Sequence, residues 1–473
     1  MKRIAILGGG ISGLSAAFAL EQRRRSGLPL EYVVFESSPR LGGVLQTESV
    51  EGCLIEGGPD SFLTEKPWAA ELCRQLGLED HLIASNDPER KTYILVRGKL
   101  VAMPDGLMFM VPTKILPALF SPLFSTGTKL RMMREWFHPP RRAESDESVA
   151  SLVERHYGAE MVERLADPLL SGVYGGEAAE LSVRAVLARF AEMEAQYGSL
   201  GRAMIAARKK MAQAAPRPLF TSLRQGMQQM TDALVAHLPA ACLQVNFPVR
   251  ALRLRGPGWQ IDSAAGSEHF DAVIAATPAH AGAELFQTAS GDLATELRGI
   301  HYSSSVTVTL GYGPEVRAAL PPGFGFLVPR GEGKRMLAAT FVHNKFPHRA
   351  PPDRALVRCF LGGTRDEQIL DLPQEQIVDV VRSELGQILG VKAEPRFTRV
   401  YKWKAAMAQY AAGHLERLER IERLLRQLPG LALAGNAYRG IGVPDCVHSG
   451  RQAAAQILAF VGLAQEAPQA VGK

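Results

Sequence analysis

The residues best suited to chemistry in this chain form a glycine-rich run near the N terminus. An apolar segment, Arg3 to Leu7, is typical of a buried parallel strand, and the run Gly8-x-Gly10-x-x-Gly13 follows it directly. Glycine suits this spacing because the chain must turn sharply, bring backbone N–H groups to a pyrophosphate, and let the next helix pack close to the strand. We therefore predict the strand, tight turn and helix that begin a dinucleotide-binding fold.

A second apolar segment, Tyr32 to Phe35, ends in an acid, Glu36. In dinucleotide-binding folds an acid at this position accepts hydrogen bonds from the ribose hydroxyls of an adenosine. The glycine run predicts the phosphate contacts and the acid predicts the ribose contact. The cofactor contacts predicted for this first unit are Gly8, Gly9, Gly10, Ile11, Ser12, Gly13, Glu36 and Ser37.

Two further glycine loops favour a flavin over a nicotinamide cofactor. Arg40 precedes the pair Gly42 and Gly43, which lets the chain run close under a long cofactor while the arginine meets its phosphates. A second loop has the same freedom at Gly58 and carries polar side chains at its end. Here the sequence resembles the FAD-dependent amine oxidase and desaturase superfamily, in which an arginine and a glycine pair follow the acid. The cofactor contacts predicted for these loops are Arg40, Gly42, Gly43, Val44, Gly58, Pro59, Asp60 and Ser61.

Length and composition set wide bounds. The chain has 473 residues, enough for two or three domains, and its 46% hydrophobic and 22% charged content is that of an ordinary globular protein. The net charge of +6 is dispersed, so we expect no nucleic-acid partner. Five cysteines without CxxC spacing argue against a disulfide framework or a metal site, and they suit a reducing, cytoplasmic location. No uncharged apolar run reaches the ~18 residues of a spanning helix, once the glycine-broken N terminus is set aside.

A helix is predicted over Met161 to Ser171. The run Asp167 to Gly176, DPLLSGVYGG, carries a Pro and a Gly-Val-Tyr-Gly-Gly break between this helix and the next, which is costly unless a backbone group must face a ligand. PLLSGVYGG followed by ELS resembles the porphyrinogen oxidases of haem biosynthesis. The loop EGGPDSFLTEK is similar to their bacterial branch, the coproporphyrinogen III oxidases. The resemblance implies non-covalent FAD, hydride transfer to flavin N5, dioxygen as the oxidant, and oxidation of coproporphyrinogen III to coproporphyrin III. It places the tetrapyrrole beside Gly172, Val173 and Tyr174.

The resemblance also implies cofactor contacts in the second half of the chain. The backbone of Val249 touches adenine, and Trp403, predicted to end a strand, packs against the flavin. A glycine loop before a helix predicted over Val447 to Phe460 faces the pyrimidine end of the flavin, where a helix N terminus stabilises negative charge. The contacts predicted in this loop are Gly435, Ile441, Gly442 and Val443.

We expect an α/β fold, α+β overall, in three parts. A discontinuous Rossmann-like FAD-binding domain takes residues 1–90, 216–285 and 406–473, a helical or lid subdomain takes 91–215, and an antiparallel-sheet substrate domain takes 286–405. Within the last, Ser303 to Tyr312 is predicted as a half-exposed strand. The apolar segment Leu107 to Phe124, with three prolines, is predicted as short pieces that either pack as a lid or form a channel mouth or membrane-surface contact.

Several alternatives stay open. Substrate carboxylates favour Arg or Lys, and Lys91, Arg97 and Lys404 are candidates by position. We name no general base. Protoporphyrinogen IX is the alternative substrate. An amine oxidase, a carotenoid desaturase and a non-enzymatic protein on the same scaffold are more remote possibilities. A ferrochelatase-like partner, peripheral membrane contact and the oligomeric state are left open.

Overall fold

The structure is a computed structural model that describes residues 1–211 and 217–464. In chain order the strands are β1 (Lys2–Leu7), β2 (Leu30–Phe35), β3 (Thr47–Val50), β4 (Cys53–Glu56), β5 (Phe62–Leu63), β6 (Leu82–Ala84), β7 (Thr92–Val96), β8 (Lys99–Ala102), β9 (Leu107–Met108), β10 (Val111–Pro112), β11 (Phe220–Leu223), β12 (Leu243–Gln244), β13 (Val249–Arg255), β14 (Gly258–Ser263), β15 (Gly266–Phe270), β16 (Ala272–Ala275), β17 (Tyr302–Tyr312), β18 (Gly325–Leu327), β19 (Met336–Phe341), β20 (Ala355–Gly362), β21 (Phe397–Ala408) and β22 (Leu431–Leu433). The helices are α1 (Ile11–Arg25), α2 (Trp68–Gln75), α3 (Ile115–Phe120), α4 (Thr126–Glu135), α5 (Val149–Tyr157), α6 (Ala159–Met161), α7 (Asp167–Tyr174), α8 (Val183–Val186), α9 (Ala188–Tyr197), α10 (Leu200–Met211), α11 (Gln228–His237), α12 (Ala279–Phe286), α13 (Gly291–Arg298), α14 (Pro314–Ala319), α15 (Val342–Lys345), α16 (Gln374–Leu389), α17 (His414–Leu425) and α18 (Val443–Phe460).

A parallel sheet with strand order β12-β2-β1-β16-β22 joins three distant parts of the chain. The first and last helices, α1 and α18, pack against each other on this sheet, and a Cβ added at Gly450 would lie 2.1 Å from the Ser12 carbonyl oxygen. The expectation of an α/β, Rossmann-like fold is confirmed. The domain boundaries stay a prediction, and the one between residues 215 and 216 lies outside the described residues.

The second large sheet has seven strands in the order β21-β17-β20-β19-β18-β7-β8, and its neighbours are antiparallel except β18 and β7. The prediction that β17 is half-exposed is wrong. The side chains of Val306 and Val308 lie in a core that α16 completes, and Thr307 on the opposite face donates to the Gly57 carbonyl, so both faces are covered. The β7–β8 hairpin, which the sequence groups with the helical segment, lies in this sheet.

The helix predicted over Met161 to Ser171 is confirmed and extends three residues further, to Tyr174, into the predicted break. A π-helical turn at Val162–Ala166 runs directly into α7, and the helix ends only at Gly175, in the left-handed conformation with φ +62°. Pro168 closely follows the π-helical turn, where the i→i−4 hydrogen-bond ladder is already interrupted, so its missing N–H costs little. The break therefore lies at Gly175 and Gly176, at the end of the predicted run.

Two boundaries in the second half of the chain also differ from prediction. Trp403 lies inside β21 rather than at a strand end, because pairing with β17 continues past it through a bulge at Ser303/Ser305. The last helix begins at Val443, not Val447. Pro444 occupies its first turn, where proline fits.

The segment Leu107 to Phe124 forms short pieces, as predicted: β9, β10 and α3. Met110 and Val111 are buried, whereas Leu116 and Phe120 on α3 are 67% and 83% exposed. Part of the segment therefore packs on its own domain and part faces outward. Within residues 1–211 and 217–464, no helix combines the length and apolar character needed to cross a membrane.

Candidate functional site

Three glycines of the N-terminal run have three different structural roles. Gly8 has φ +100°, and an added Cβ there would lie 2.6 Å from the Ala276 carbonyl oxygen. A Cβ at Gly13 would lie 1.9 Å from the Gly8 carbonyl oxygen, so helix and strand are too close for any side chain. Gly10 is the opposite case, because no atom of the described residues lies within 4 Å of its Cβ position. Space is thus kept open at the glycine that pyrophosphate approaches in dinucleotide folds.

The N terminus of α1 borders this space. Its first main-chain hydrogen bond runs from the Leu14 N–H to the Gly10 carbonyl at 2.9 Å, so the N–H groups of Ser12 and Gly13 precede the helical ladder. The cap residue, Gly10, has no side chain to satisfy them. Aligned peptide dipoles give this end a partial positive charge. The arrangement fits a phosphate.

Glu36 is held at the edge of the turn. Its carboxylate accepts hydrogen bonds from the Gly9 N–H at 2.7 Å and the Ser38 N–H at 2.8 Å. Each carboxylate oxygen keeps a further lone pair, so ribose hydroxyls remain acceptable donors. The Phe247 N–H donates to the Glu36 carbonyl at 2.9 Å, which brings the start of β13 and the predicted adenine contact, Val249, to the same edge.

Arg40 shapes its own loop. Its guanidinium donates to the carbonyls of Leu41 and Leu45, each at 3.0 Å, and to that of Gly43. The Gly42 N–H donates to the Gly9 carbonyl at 2.8 Å, so the loop lies against the glycine turn. The predicted contact between Arg40 and phosphate stays a prediction, and these three carbonyls engage three of the five N–H donors of its guanidinium.

The second glycine loop is fastened to the seven-stranded sheet through one carbonyl. The Gly57 carbonyl accepts from Trp403 Nε1 at 2.8 Å, Thr307 Oγ1 at 3.0 Å and an Arg358 amino group at 3.3 Å. A Cβ at Gly58 would lie 1.9 Å from the Val44 carbonyl oxygen, so this loop also presses on the Arg40 loop. The indole N–H of Trp403 thus holds the loop in place. The predicted packing of the ring against flavin is a separate contact and stays a prediction.

Asp60 lies beyond Pro59 in a buried group of charges. Both of its carboxylate oxygens accept from Lys345 Nζ at 2.9 Å, and the Ser61 hydroxyl donates to it at 2.7 Å. Burial by itself raises the pKa of this carboxyl, but the charges of Lys345 and Arg358 outweigh burial and hold the pKa below its ordinary value. Asp60 is therefore an anion paired with Lys345 of α15, and its predicted cofactor contact is untested.

The same group of charges contains a second pair, Glu56 and Arg349, whose side chains are 4% and 1% exposed. Lys345, Arg349 and Arg358 were missed by the sequence analysis. Arg358 carries the one available signal, since it interrupts the apolar strand β20.

The predicted substrate-side residues lie at the end of α7. Val173 is 52% exposed, whereas the Tyr174 hydroxyl is buried, and burial, with a contribution from Asp445, raises the pKa of Tyr174 to about 12. Asp445 is in the first turn of α18. The Tyr174 carbonyl accepts from Gln409 Nε2 at 2.6 Å, and the hydroxyl of the next residue, Tyr410, bonds the loop before α18, so the end of α7 and the loop that the sequence assigns to the flavin are attached to adjacent residues.

The loop before α18 is also firmly held. Asp445 accepts from the Gly442 N–H at 3.2 Å and pairs with Lys66 Nζ at 2.6 Å, and the Gly435 N–H donates to the Ser449 hydroxyl at 3.1 Å. Ile441 and Val443 flank Gly442. Lys66 was missed because its partner is almost four hundred residues away in the sequence.

The three basic candidates for substrate carboxylates are scattered. Lys91 precedes β7, Arg97 lies at the β7–β8 turn and Lys404 lies on β21; all three are exposed. The structure does not bring the three side chains together. The predicted role of Lys91 near the substrate stays a prediction.

These features fit a flavin dinucleotide. The open position at Gly10 and the α1 N terminus suit the pyrophosphate, and Glu36 suits the ribose, whereas the predicted flavin contacts of the Gly58 loop and the α18 N terminus stay predictions. A sequence profile of the family described as flavin containing amine oxidoreductase matches residues 11–458. The chain belongs to this family.

Two curated relatives of similar length are named as porphyrinogen oxidases. The chain is 33% identical over 471 residues to a coproporphyrinogen III oxidase of Bacillus subtilis, covering 97% of this chain and 98% of the relative. It is 32% identical over 484 residues to the human protoporphyrinogen oxidase, again covering 97% and 98%.

Two solved structures share the fold of this chain. An Exiguobacterium crystal structure, named for protoporphyrinogen oxidase, superposes with a TM-score of 0.87 at 29% identity, covering 96% of this chain and 98% of that one. A cyclohexylamine oxidase from Brevibacterium oxydans, at 18% identity and a TM-score of 0.70, shares the fold alone. The protein is an oxidoreductase whose cofactor is FAD.

Proposed function

We propose that the protein oxidises coproporphyrinogen III to coproporphyrin III in haem biosynthesis, with dioxygen as the final electron acceptor. The observation that carries the proposal is that the end of α7, within PLLSGVYGG, and the loop before α18 are bonded to the adjacent residues Gln409 and Tyr410, in a chain that is similar over its whole length to coproporphyrinogen III oxidases. The proposed reaction removes six electrons and six hydrogens from the substrate. Three molecules of dioxygen become three of hydrogen peroxide, which balances the reaction.

FAD, when bound, supplies a two-electron acceptor for hydride in each of three rounds. We propose that the residues Gly8 to Gly13 hold its pyrophosphate, that Glu36 holds its ribose and that Val249 meets its adenine. The Gly58 loop and the loop from Gly435 to Val443 border the flavin ring in this proposal.

The remaining task of the chain is to orient the porphyrinogen. Its pyrroles are electron-rich and gain aromaticity on oxidation, so positioning and exclusion of water supply most of what the reaction needs. We assign the positioning surface to Gly172, Val173 and Tyr174, and we assign no general base.

Protoporphyrinogen IX is a second candidate because of the similarity to the human protoporphyrinogen oxidase. The two substrates differ where coproporphyrinogen III carries propionates and protoporphyrinogen IX carries vinyl groups. The cytoplasmic location, membrane contact and a ferrochelatase-like partner stay predictions from the sequence.

A side-by-side assay tests the proposal. The purified protein, checked for its flavin spectrum, is mixed with each porphyrinogen in air, and porphyrin fluorescence is followed against a heat-denatured control that measures spontaneous oxidation. We expect a yellow protein with the larger kcat/KM for coproporphyrinogen III. A larger value for protoporphyrinogen IX would transfer the assignment to the alternative, and no turnover of either by the flavin-loaded protein would refute both.

A further inference from the structure

We propose that two adjacent residues, Gln409 and Tyr410, act as positioning residues that fix the substrate side of the site against the flavin side. We name this pair the Gln409–Tyr410 clamp. The part of the inference that concerns Gln409 rests on the proposed function for the identity of the substrate. The part that concerns Tyr410, the flavin half, requires only that the protein binds FAD.

Gln409 holds the substrate side. It follows β21 directly, is 7% exposed, and donates from Nε2 to the Tyr174 carbonyl at 2.6 Å and to the Ser303 hydroxyl at 2.9 Å. Its Oε1 lies 2.0 Å from the Cβ position of Gly176, so only glycine leaves room for it there. The side chain of Gln409 thus fastens the last turn of α7 to the seven-stranded sheet.

Tyr410 holds the flavin side through a single hydroxyl. The side chain is 2% exposed, and the hydroxyl donates to the Asn436 carbonyl at 2.7 Å and accepts from the Gly440 N–H at 2.8 Å. Both partners belong to the loop between β22 and α18. One oxygen therefore fixes both ends of a five-residue span at the predicted pyrimidine end of the flavin.

The loop has a second, weaker attachment to the same sheet. Asn436 Nδ2 donates to the Ala406 carbonyl at 2.9 Å, and the Tyr302 hydroxyl donates to Asn436 Oδ1 at 3.4 Å. The ring of Tyr410 stacks on His414, with ring centroids 4.1 Å apart, which restricts the direction of its hydroxyl.

The consequence follows from the adjacency of the two residues. Because one peptide bond joins Gln409 to Tyr410, the end of α7 and the loop before α18 are held at a set separation. Hydride transfer depends steeply on donor–acceptor distance, and misplacement by about 1 Å can cost about 100-fold in rate. The clamp sets this distance without touching the reacting atoms.

The flavin half is tested with Tyr410→Phe, which removes only the hydroxyl. We expect the Kd for FAD of the deflavinated protein, measured by quenching of flavin fluorescence, to rise about tenfold or more, because a buried carbonyl and a buried N–H lose their partner. The control is Tyr157→Phe, which removes a buried hydroxyl that has no hydrogen-bond partner among the described residues. If Tyr410→Phe does not fold, Tyr302→Phe replaces it, with a smaller rise expected.

The substrate half is tested with Gln409→Met, which keeps the length of the side chain but removes its donors. At saturating FAD we expect kcat to fall about tenfold or more and the Kd for coproporphyrin III, measured by quenching of porphyrin fluorescence, to rise. The Kd for FAD should stay within about twofold. If Gln409 only stabilised the fold, its substitution would lower thermal stability, but it would not lower kcat and weaken porphyrin binding while leaving the Kd for FAD unchanged.

The outcomes are distinct. An unchanged Kd for FAD in the folded tyrosine variants overturns the flavin half, and a Gln409→Met variant that loses FAD or keeps full kcat overturns the substrate half. If the flavin-loaded wild type neither binds porphyrin nor turns over a porphyrinogen, both the proposed function and the substrate half of the clamp are refuted. The FAD titrations still test the flavin half in that case.

Discussion

Gly10→Ala should separate cofactor binding from folding. The backbone at Gly10 has φ −74°, which any residue adopts, and no atom of the described residues lies within 4 Å of the added Cβ. The protein alone therefore accommodates the methyl group. Replacing glycine by alanine at a helix N-cap costs about 1 kcal/mol or less, so we expect Tm to fall by no more than a few degrees.

The added methyl group should instead weaken the binding of FAD. The methyl group projects into the space through which pyrophosphate approaches the N–H groups of Ser12 and Gly13. Losing one hydrogen bond to a charged group costs about 1.5–3 kcal/mol, which raises the Kd for FAD roughly 10- to 150-fold. Titrating deflavinated protein with FAD measures this change, and differential scanning calorimetry of the same sample measures Tm.

Two other glycines calibrate the result. Gly127→Ala, in the first turn of α4, adds a Cβ that meets only Ser125 Oγ at 3.8 Å, and it should leave both Tm and the Kd for FAD unchanged. Gly13→Val should lower Tm and raise the Kd for FAD, because its Cβ must move at least about 1.1 Å to escape the Gly8 carbonyl oxygen. Wild-type affinity for FAD in Gly10→Ala would refute the assignment of the pyrophosphate to this turn.

Two further predictions concern stability. His156 bonds Glu135 and Glu194, each at 3.1 Å; burial lowers its pKa, but the two carboxylates outweigh burial and raise the pKa above the ordinary 6.5. The stabilisation that protonated His156 contributes is therefore full below pH 6.5 and is lost as the pH rises through the folded-state pKa. In urea denaturation, the unfolding free energy of the wild type should fall more steeply above pH 6.5 than that of His156→Gln, and the exposed-residue variant His269→Gln should behave as the wild type does. Equal slopes in the wild type and His156→Gln would contradict this prediction. Arg349→Met leaves Glu56 buried and unpaired, which should cost about 3–5 kcal/mol of unfolding free energy in the same assay, and a loss below about 1 kcal/mol would show that the pair is not needed.

The sequence alone was sufficient for the local parts of the site. The β1 strand, the glycine turn, α1 and the acid after β2 were predicted because their signals are contiguous: apolar runs, glycine spacing and one acid at a strand end. The short pieces between Leu107 and Phe124 followed from the prolines for the same reason.

The contacts that hold the site together were not predictable in this way. Glu56 pairs with Arg349, and Gly57 accepts from Trp403, across about three hundred residues of sequence. Burial of charge is decided by tertiary packing, which a single sequence does not reveal. The half-exposed prediction for β17 failed for this reason, since alternating Val and Thr does not show that a loop covers the Thr face.

The helix boundaries failed for a different reason. Proline and glycine are strong breakers in isolation, so the helix ending at Ser171 was predicted three residues too short, and the last helix was predicted to begin four residues too late. Pro444 sits in a first helical turn and Pro168 closely follows a π-helical turn, so each lies where a missing N–H is tolerated.

The most direct test of the central claim is a single-turnover reaction without oxygen. Flavin-loaded protein in excess is mixed anaerobically with coproporphyrinogen III while absorbance follows flavin and porphyrin together. We predict bleaching of the oxidised flavin with formation of one coproporphyrin III for every three flavins reduced, and recovery of the flavin spectrum when air is admitted. Porphyrin formation without flavin bleaching, or a flavin that stays oxidised with intact substrate, would contradict the account.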